Sequence, residues 1–281
     1  MRMTEHVRKV SEKASKVCNV LSCLMPRKGG PSNARRNLLA TVIRSVTLYG
    51  APVWESALRF KKYAKILRLI ERRTAISATS AYRTVATEAV SALAGHPPMD
   101  LLAWERSRNW ETRGENAEIN KESMFEKWQQ RWNEYGGWAK TFIKSVRDWK
   151  EKGPRVDYYT TQAIMGHGEY LKKIKKIESD ICWFGCRESD TPRHTIFKCA
   201  RFERERATMN VELEHSVTEE NVADLIMKDE KHQNIIIRYF REVMKAKDAE
   251  GRTKRRVHDK EQHTPMKCPD GRIPGREGEG F

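Results

Sequence analysis

The chain has 281 residues, of which 33% are charged and 38% are hydrophobic. This length suits one large domain or two ordinary ones, with a lean core under a heavily charged surface. Lys and Arg number 54 against 38 Asp and Glu, so the net charge of +16 favours an anionic partner. No apolar run is long enough to span a bilayer, and six cysteines in this length do not make a disulfide scaffold. We therefore expect an intracellular protein of the nucleus and cytoplasm with no membrane partner.

The positive charge is concentrated at one end. Residues 1–98 hold 18 Lys or Arg and five acids, a net of +13. Charge asymmetry of this size is typical of a surface that binds nucleic acid. The alternative is a basic surface that only keeps the protein soluble.

The first third of the chain predicts helices. Apolar residues recur every three or four positions in 7–24, 39–49 and 63–70, the spacing of one helical face. The turn-forming segment PRKGGPS (26–32) separates the first two of these stretches. Further helices are predicted at Glu88–Leu93 and from Met99 to about Arg113, joined by a Gly-His-Pro-Pro turn.

Cations follow the polar faces of these helices. Four of them, spaced 4, 3 and 4 residues apart, form one row on the third helix. Like charges at this spacing repel each other, and a phosphate backbone alongside would relieve the repulsion. The alternative is a solvated basic face. The predicted nucleic-acid-binding residues are Lys9, Lys13, Lys16, Arg35, Arg36, Lys61, Lys65, Arg68 and Arg72.

The rest of the chain continues as helix, with no convincing strand pattern. Tryptophans are concentrated around 123–151, and aromatic residues at helical spacing are more often core than ligand platform. HQNIIIRYFREVMKAK (232–247) predicts a last amphipathic helix, and the Gly, Pro, Arg and Lys of the following residues predict a disordered tail. The residues interpreted as core are Trp110, Trp128, Trp132, Trp138 and Trp149.

These observations predict a mainly α fold in separate regions. Residues 1–112 would form a basic helical domain, and residues 113–122 a polar linker. A Trp-rich helical connector would occupy 123–247, followed by a disordered basic tail at 248–281.

One cluster of residues carries chemistry. Cys182, Cys186, His194 and Cys199 form the pattern C-x3-C-x7-H-x4-C, and three thiolates with an imidazole are a tetrahedral zinc set. We expect one structural Zn²⁺ at this site. With three thiolates the site would carry a net charge of about −1, which nearby cations would balance. The alternative is that the cysteines are buried free thiols. The nearby cations are Lys172, Lys173, Lys175, Lys176, Arg187, Arg193 and Lys198.

Three aromatic residues lie beside these ligands in sequence. Trp183, Phe184 and Phe197 would either form the small core of the knuckle or stack on bases. The spacing alone leaves both alternatives open.

Catalytic motifs are missing from the sequence. It contains no P-loop, no H-E-x-x-H and no G-x-S-x-G. The dipeptide Asp-Asp does not occur either, and two-metal phosphoryl transfer needs clustered carboxylates. We therefore assign no catalytic residue.

Several segments together resemble one family. GHGEYLKKI (166–174) and DTPRHTIFKCARF (190–202), with the cysteines between them, resemble the C-terminal Cys-Cys-His-Cys knuckle of LINE-type (non-LTR) retrotransposon Pol proteins of insects. GPSNARRNLLATVIRSVTLYGAPVW (30–54) is similar to the segment that follows the reverse transcriptase palm in those proteins. AYRTVATEAVSALAGHPPMDLL (81–102) and DYYTTQAIMGHG (157–168) extend the likeness.

The resemblance implies a part of an RNA-directed DNA polymerase that copies its own RNA at a nicked chromosomal target. By this resemblance, residues 1–112 would correspond to the thumb of the polymerase. The partners would be RNA and DNA, bound as template–primer and as the target site. Upstream polymerase domains of the same polyprotein would be further partners. Two alternatives remain: a stand-alone domesticated zinc-knuckle protein that binds nucleic acid, and a helical protein–protein adaptor.

We predict that this chain alone does not extend a primer. The physical reason is the missing pair of adjacent aspartates, without which two metal ions are not held at the primer end. Primer extension by the purified chain with Mg²⁺ or Mn²⁺, beside an active reverse transcriptase as control, tests this. Extension above background would contradict the prediction.

Overall fold

The computed structural model describes residues 3–166 and 181–262 and confirms the mainly α class. Within these ranges, the strand-like contact is an isolated antiparallel bridge between Ile181 and Ser189. The helices are α1 Met3–Cys23, α2 Asn33–Thr47, α3 Ala51–Trp54, α4 Lys61–Thr79, α5 Thr87–Leu93, α6 Met99–Glu111, α7 Ala117–Glu134, α8 Val146–Lys152, α9 Tyr158–Met165, α10 Glu203–Leu213, α11 Val222–Lys228 and α12 Glu230–Gln262.

Helices α1, α2 and α4 pack against one another as the sequence periodicity predicts. Val7, Ile43 and Leu67 lie in their common core. Ser22 Oγ of α1 lies 3.1 Å from Ser77 Oγ of α4, which pairs the C-terminal ends of the two helices. Burial of the apolar stripes holds these helices together, so their opposite faces are left to the charged residues.

A buried carboxylate connects α4 to α6. Glu71 of α4 accepts hydrogen bonds from the Ser91 hydroxyl (2.9 Å) and from the backbone N–H of Met99 (3.1 Å), the first residue of α6. Burial raises the pKa of the Glu71 carboxyl to about 7. The side chain satisfies an N–H at a helix start, where negative charge is favoured.

The tryptophans form a second layer. Trp128, Trp132 and Trp149 are buried as predicted. The indole N–H of Trp132 donates to the carbonyl of Ile143 (2.9 Å), and that of Trp149 donates to the carbonyl of Leu93 (3.1 Å). Buried indoles need such acceptors, so the ring of Trp132 also fixes the segment before α8 and the ring of Trp149 binds the C-terminal end of α5.

Trp110 departs from the core interpretation. Its side chain is 75% exposed at the end of α6. It lies one residue before the C-terminal end of α6, Glu111, shortly before the chain enters α7. The prediction that this tryptophan is core was wrong.

Helix α9 caps the end of α4. The hydroxyl of Thr161 donates to the carbonyl of Thr79 (2.7 Å), and the amide of Gln162 donates to the carbonyl of Ser80 (3.3 Å). Ser80 has φ of 62°, the left-handed conformation that ends helices. These bonds satisfy carbonyls that the helix itself leaves without partners.

Two segments predicted to lack structure are partly helical. Helix α7 begins at Ala117, inside the expected linker, where Lys121 pairs with Glu118 at 3.3 Å. Helix α12 runs to Gln262, through the first part of the expected tail, with Arg252 paired to Asp248 at 3.1 Å. Both segments are rich in Glu, Lys and Arg, which favour helix by propensity and by ion pairs three or four residues apart. The rest of the tail lies outside the described residues.

Residues 1–244 form one compact unit, and residues 245–281 form a second. The described part of the second unit, 245–262, is continuous helix. The predicted division between 1–112 and 123–247 stays a prediction. Among the helices of the described ranges, none combines the length and the apolar character needed to cross a membrane.

Replacing Glu71 by Gln should change how stability depends on pH. The folded-state pKa of about 7 lies above the ordinary glutamate pKa of 4.5, so between these pH values the folded protein binds more protons than the unfolded chain. The unfolding free energy contributed by this group is therefore highest below pH 4.5 and falls as the pH rises through 7. Between pH 4.5 and pH 8, the unfolding free energy of Glu71→Gln should therefore rise relative to that of wild type, by at most about 3 kcal/mol.

Urea unfolding at a series of pH values measures this difference. Glu126→Gln, a substitution of an exposed residue in α7, is the matched control and should show no such trend. A difference between Glu71→Gln and wild type that stays constant with pH would contradict the prediction.

Candidate metal centre and basic surface

The structure brings the four predicted ligands together. One potential ligand atom from each of Cys182, Cys186, His194 and Cys199 lies within 4.8 Å of all the others. The Sγ of Cys199 is 3.7 Å from the Sγ of Cys182 and 3.7 Å from the Sγ of Cys186. Sulfurs at about 2.3 Å from one tetrahedral ion are about 3.8 Å apart, so the spacing suits one zinc-sized ion.

The imidazole of His194 is oriented for ligation. Its Nδ1 lies 2.9 Å from Oε2 of Glu188, and its Nε2 is buried with no hydrogen-bond partner in the described structure. Metal-binding histidines commonly donate one ring N–H to a carboxylate and present the other nitrogen to the ion. A buried, unpartnered ring nitrogen among three sulfurs is the observation that shows these residues fit a metal.

A backbone hydrogen bond and burial shift the pKa values of two of the thiols. The backbone N–H of Ala200 hydrogen-bonds to the thiol of Cys186 and lowers its pKa to about 7. Burial raises the pKa of the Cys199 thiol to about 12. A divalent cation at this position would favour the deprotonated form of all three sulfurs.

The local sequence explains why the ligands converge. The bridge between Ile181 and Ser189 closes the loop that holds the first two cysteines, and Gly185 has φ of 86° in that loop. Nothing lies within 4 Å of the position of a Cβ on Gly185, so its conformation, not space, calls for glycine. The hydroxyl of Thr191 accepts the backbone N–H of His194 at 3.1 Å and starts the helical turn that presents the imidazole.

The knuckle, residues 181–202, is packed onto the helices. The hydroxyl of Tyr239 in α12 donates to the carbonyl of Ile196 at 2.6 Å. The rings of Phe197 and Trp138 meet at 6.2 Å, and those of Phe184 and Phe202 at 5.2 Å. Of the two alternatives for these phenylalanines, the structure favours a small core.

Gly166, which follows α9, lies close to the Trp138 ring and to Pro192 of the knuckle. A Cβ there would lie 2.8 Å from the Trp138 ring and 3.1 Å from Pro192, and φ is 70°. The lysines predicted beside the cluster at 172–176, and most of GHGEYLKKI, lie outside the described residues.

The structure separates the predicted nucleic-acid-binding residues into exposed and engaged ones. Lys61 and Lys65 are exposed on α4. Arg68 is paired with Glu88, and Arg72 donates to the Thr87 hydroxyl at 3.1 Å and to a backbone carbonyl. Half of the row therefore also joins α4 to α5.

The remaining predicted cations differ in the same way. Lys13 and Lys16 are exposed on α1, and Lys9 is exposed with Glu5 at 3.8 Å. Arg35 is exposed at the start of α2. These side chains remain candidates for phosphate contact.

Arg36 is a correction to the predicted set. It is 4% exposed, and its guanidinium donates to the carbonyls of Met25 (3.2 Å), Pro31 (2.9 Å) and Ser77 (2.9 Å). The charge is buried under the loop before α2, so the prediction of a direct nucleic-acid contact was wrong. Helical spacing does not show which arginine points inward.

Comparisons with known proteins find similar sequences among retrotransposon proteins of insects. The Pol polyprotein of type-1 retrotransposable element R1 2 of Nasonia vitripennis is 26% identical over 232 residues, 72% of this chain and 56% of the relative. The Pol polyprotein of element R1 4 of the same wasp is 28% identical over 166 residues, 49% of this chain and 42% of the relative. The chain is homologous to R1 retrotransposon Pol polyproteins.

A third R1 relative comes from Drosophila melanogaster, a putative 115 kDa protein of element R1DM. It is 25% identical over 199 residues, which cover 60% of this chain and 19% of the relative. The chain spans about half the length of the R1 Pol polyproteins that it matches. No family model and no solved structure matches this chain.

Sequence reasoning missed the groups around the ligands of this R1 homologue. Glu188 orients the imidazole, and Arg206 donates to the carbonyl of Cys199 at 3.2 Å. Arg193, expected to balance the sulfurs, is instead paired with Glu219. Glu188 has no periodic or motif spacing relative to His194, so the sequence offered no signal that could have found it.

We predict one zinc ion per chain, held by Cys182, Cys186, His194 and Cys199. His194→Ala should reduce the zinc content below half an equivalent, because the ring nitrogen is lost. Glu188→Gln should retain zinc at saturation with an affinity roughly 10-fold weaker, since it only orients the imidazole. Elemental analysis and competition with a chelator, under reducing conditions, give both quantities.

Two substitutions outside the cluster serve as controls. His215→Ala removes an exposed imidazole, and Cys23→Ser removes an exposed thiol. Both should bind zinc as wild type does. A wild-type chain with less than half an equivalent that does not rise on adding zinc would rule out the site.

Proposed function

We propose that the chain binds nucleic acid as the thumb-like and C-terminal region of a retrotransposon RNA-directed DNA polymerase. The observation that carries this proposal is the display of cations on the outward faces of α1 and α4. Lys13, Lys16, Lys61 and Lys65 are exposed there, opposite the apolar faces that form the core. Arrays of exposed lysines on rigid helices suit the regularly spaced phosphates of a nucleic-acid backbone.

The proposed ligand is the template–primer duplex, with the target DNA as a second one. Cations without base-reading partners position a duplex through its phosphates and carry no sequence information. Homology to R1 Pol polyproteins supports a role inside the cell, on RNA in the cytoplasm and on chromosomal DNA in the nucleus.

In this proposal the knuckle has a structural role. With zinc bound, the metal supplies a structural crosslink and no reaction step. Phe184 and Phe197 are engaged in ring contacts within the protein, which favours a packing role for these rings over base stacking.

The salt dependence of binding tests the basic surface. Lys61→Gln with Lys65→Gln should reduce the slope of log K against log salt by about 1.8 for duplex, because two phosphate contacts are lost. Arg68→Gln with Arg72→Gln is the matched pair on the same helix and should reduce the slope less, since both arginines are engaged with α5. Fluorescence anisotropy with an RNA–DNA hybrid at several salt concentrations measures the slopes.

Equal reductions in the two pairs would mean that all four cations act as one row. An unchanged slope in both pairs would contradict the proposed surface.

Protein binding is a second candidate function. Leu38, Val42, Tyr49 and Val53 are exposed apolar side chains on α2, on α3 and in the turn between them. The polymerase region of an R1 polyprotein is the partner that the homology favours. The test is whether the polymerase region co-purifies with the chain. If it no longer co-purifies with the variant Leu38→Ser plus Val42→Ser, and the variant keeps its nucleic-acid affinity, this candidate is supported.

A further inference from the structure

Three cations from three different helices lie around the C-terminal half of α2. Arg44 belongs to the last turn of that helix, Arg106 to α6 and Lys150 to α8. The guanidinium of Arg106 donates to the carbonyl of Leu48 at 3.1 Å, and the backbone N–H of Leu48 donates to the carbonyl of Arg44 at 2.9 Å. Arg106 is therefore held one helical turn from Arg44.

The loop before α6 brings Lys150 to the same side of α2. Nε2 of His96 in this loop lies 3.0 Å from Oδ1 of Asn37, which shares a helical face with Arg44 two turns further on. Next to His96, a Cβ on Gly95 would lie 3.3 Å from the Cα of Lys150. Helix α8 therefore packs on the loop at Lys150, close to the face of α2 that carries Arg44.

The charges of Arg44, Arg106 and Lys150, together the α2 cation cluster, act on one another. In the part of the chain that the structure describes, none of the three forms an ion pair. Burial, and then the charge of Arg106, lower the pKa of half-buried Arg44. Desolvation, and then the charge of Arg44, lower the pKa of Lys150. Arg193 shows the opposite sign, since its carboxylate partner raises its pKa.

The negative charge nearby does not cancel that of the α2 cation cluster. The C-terminal end of α2 contributes about half an elementary charge. Glu151, which raises the pKa of Lys150, is paired with Arg147 at 3.3 Å. Glu105 is half-buried, and burial raises its pKa although the charge of Arg106 acts to lower it. Against three unit charges these groups leave the cluster net positive, so a bound anion would be stabilised.

We propose that the α2 cation cluster binds a phosphate of a nucleic-acid backbone. The inference rests on the proposed nucleic-acid-binding function and adds a contact surface on helices other than α1 and α4. Arginine offers a forked donor that fits phosphate oxygens, and lysine offers a point charge. Arg106 is held by Leu48, and Arg44 donates to the Thr41 hydroxyl at 3.3 Å, so two of the three cations are positioned before a ligand arrives.

Arg44→Gln with Lys150→Gln, the glutamine pair, tests the cluster and leaves the Arg106 contact to α2 in place. Fluorescence anisotropy with an RNA–DNA hybrid is measured at several salt concentrations. The slope of log K against log salt should fall by about 1.8, about 0.9 for each lost contact, and affinity at low salt should fall roughly fivefold or more. Arg204→Gln with Lys231→Gln removes the same charge from exposed positions on α10 and α12. This matched control should change affinity by less than about twofold.

Arg44→Lys with Lys150→Arg separates charge from packing. It keeps both charges and changes both shapes, so it should keep the wild-type slope. A slope as low as that of the glutamine pair would make packing responsible and would overturn the proposal. Circular dichroism shows whether each variant is folded. Lys150→Gln alone changes an exposed residue and should lower the slope by about 0.9 even if the glutamine pair does not fold.

Equal binding by the folded glutamine pair and the control pair would overturn the proposal. A reduced slope for Lys61→Gln with Lys65→Gln in the same series would leave the basic surface of α4 intact. A poly-glutamate peptide tests for an acidic protein as the ligand. Affinity of the glutamine pair that is lost for this peptide and kept for the hybrid would also overturn the proposal.

Inorganic tripolyphosphate separates this inference from the proposed function. At equal ionic strength it should raise the melting temperature of wild type more than that of the glutamine pair. This difference, without any hybrid binding by wild type, would support a phosphate site and contradict the proposed function. A reduced hybrid slope with equal melting shifts would identify the nucleic-acid backbone, and not free phosphate, as the source. Equal melting shifts with an unchanged slope would overturn the site.

Discussion

A core this lean depends on hydrogen-bonding the large polar side chains that folding buries. The carboxylate of Glu71, the indoles of Trp132 and Trp149 and the guanidinium of Arg36 are all buried, and each bonds to groups distant in sequence. An unpaired buried donor or acceptor costs about 1–3 kcal/mol, which is comparable with the gain from an apolar side chain. The helices are therefore held in place by polar contacts as much as by their apolar faces.

The Nε2 of His194 departs from that pattern in an informative way. It is buried without a hydrogen-bond partner, yet it lies among three sulfurs at the spacing of a tetrahedral ion. Its position among three sulfurs therefore makes this nitrogen a candidate metal ligand. The contact of Tyr239 with Ile196 then links the knuckle to α12, so order at the metal centre extends into the helical unit.

Charge in this protein has two uses that composition does not distinguish. Lys61 and Lys65 are directed to solvent, whereas Arg36 is consumed in shaping the loop that carries Arg27 and Lys28. Arg68 and Arg72 join helices and remain near the surface.

The mainly helical class, the apolar faces of the first helices and the Cys-Cys-His-Cys cluster could all be predicted from the sequence. Helical periodicity and ligand spacing are local patterns, and local patterns can be read along the chain. The exposure of Trp110, the burial of Arg36 and the helix at 248–262 could not be predicted. These features follow from the folded chain, because each depends on which distant groups lie opposite. The pairing of Glu188 with His194, and of loop 26–32 with Tyr158, arises from chain folding that no spacing encodes.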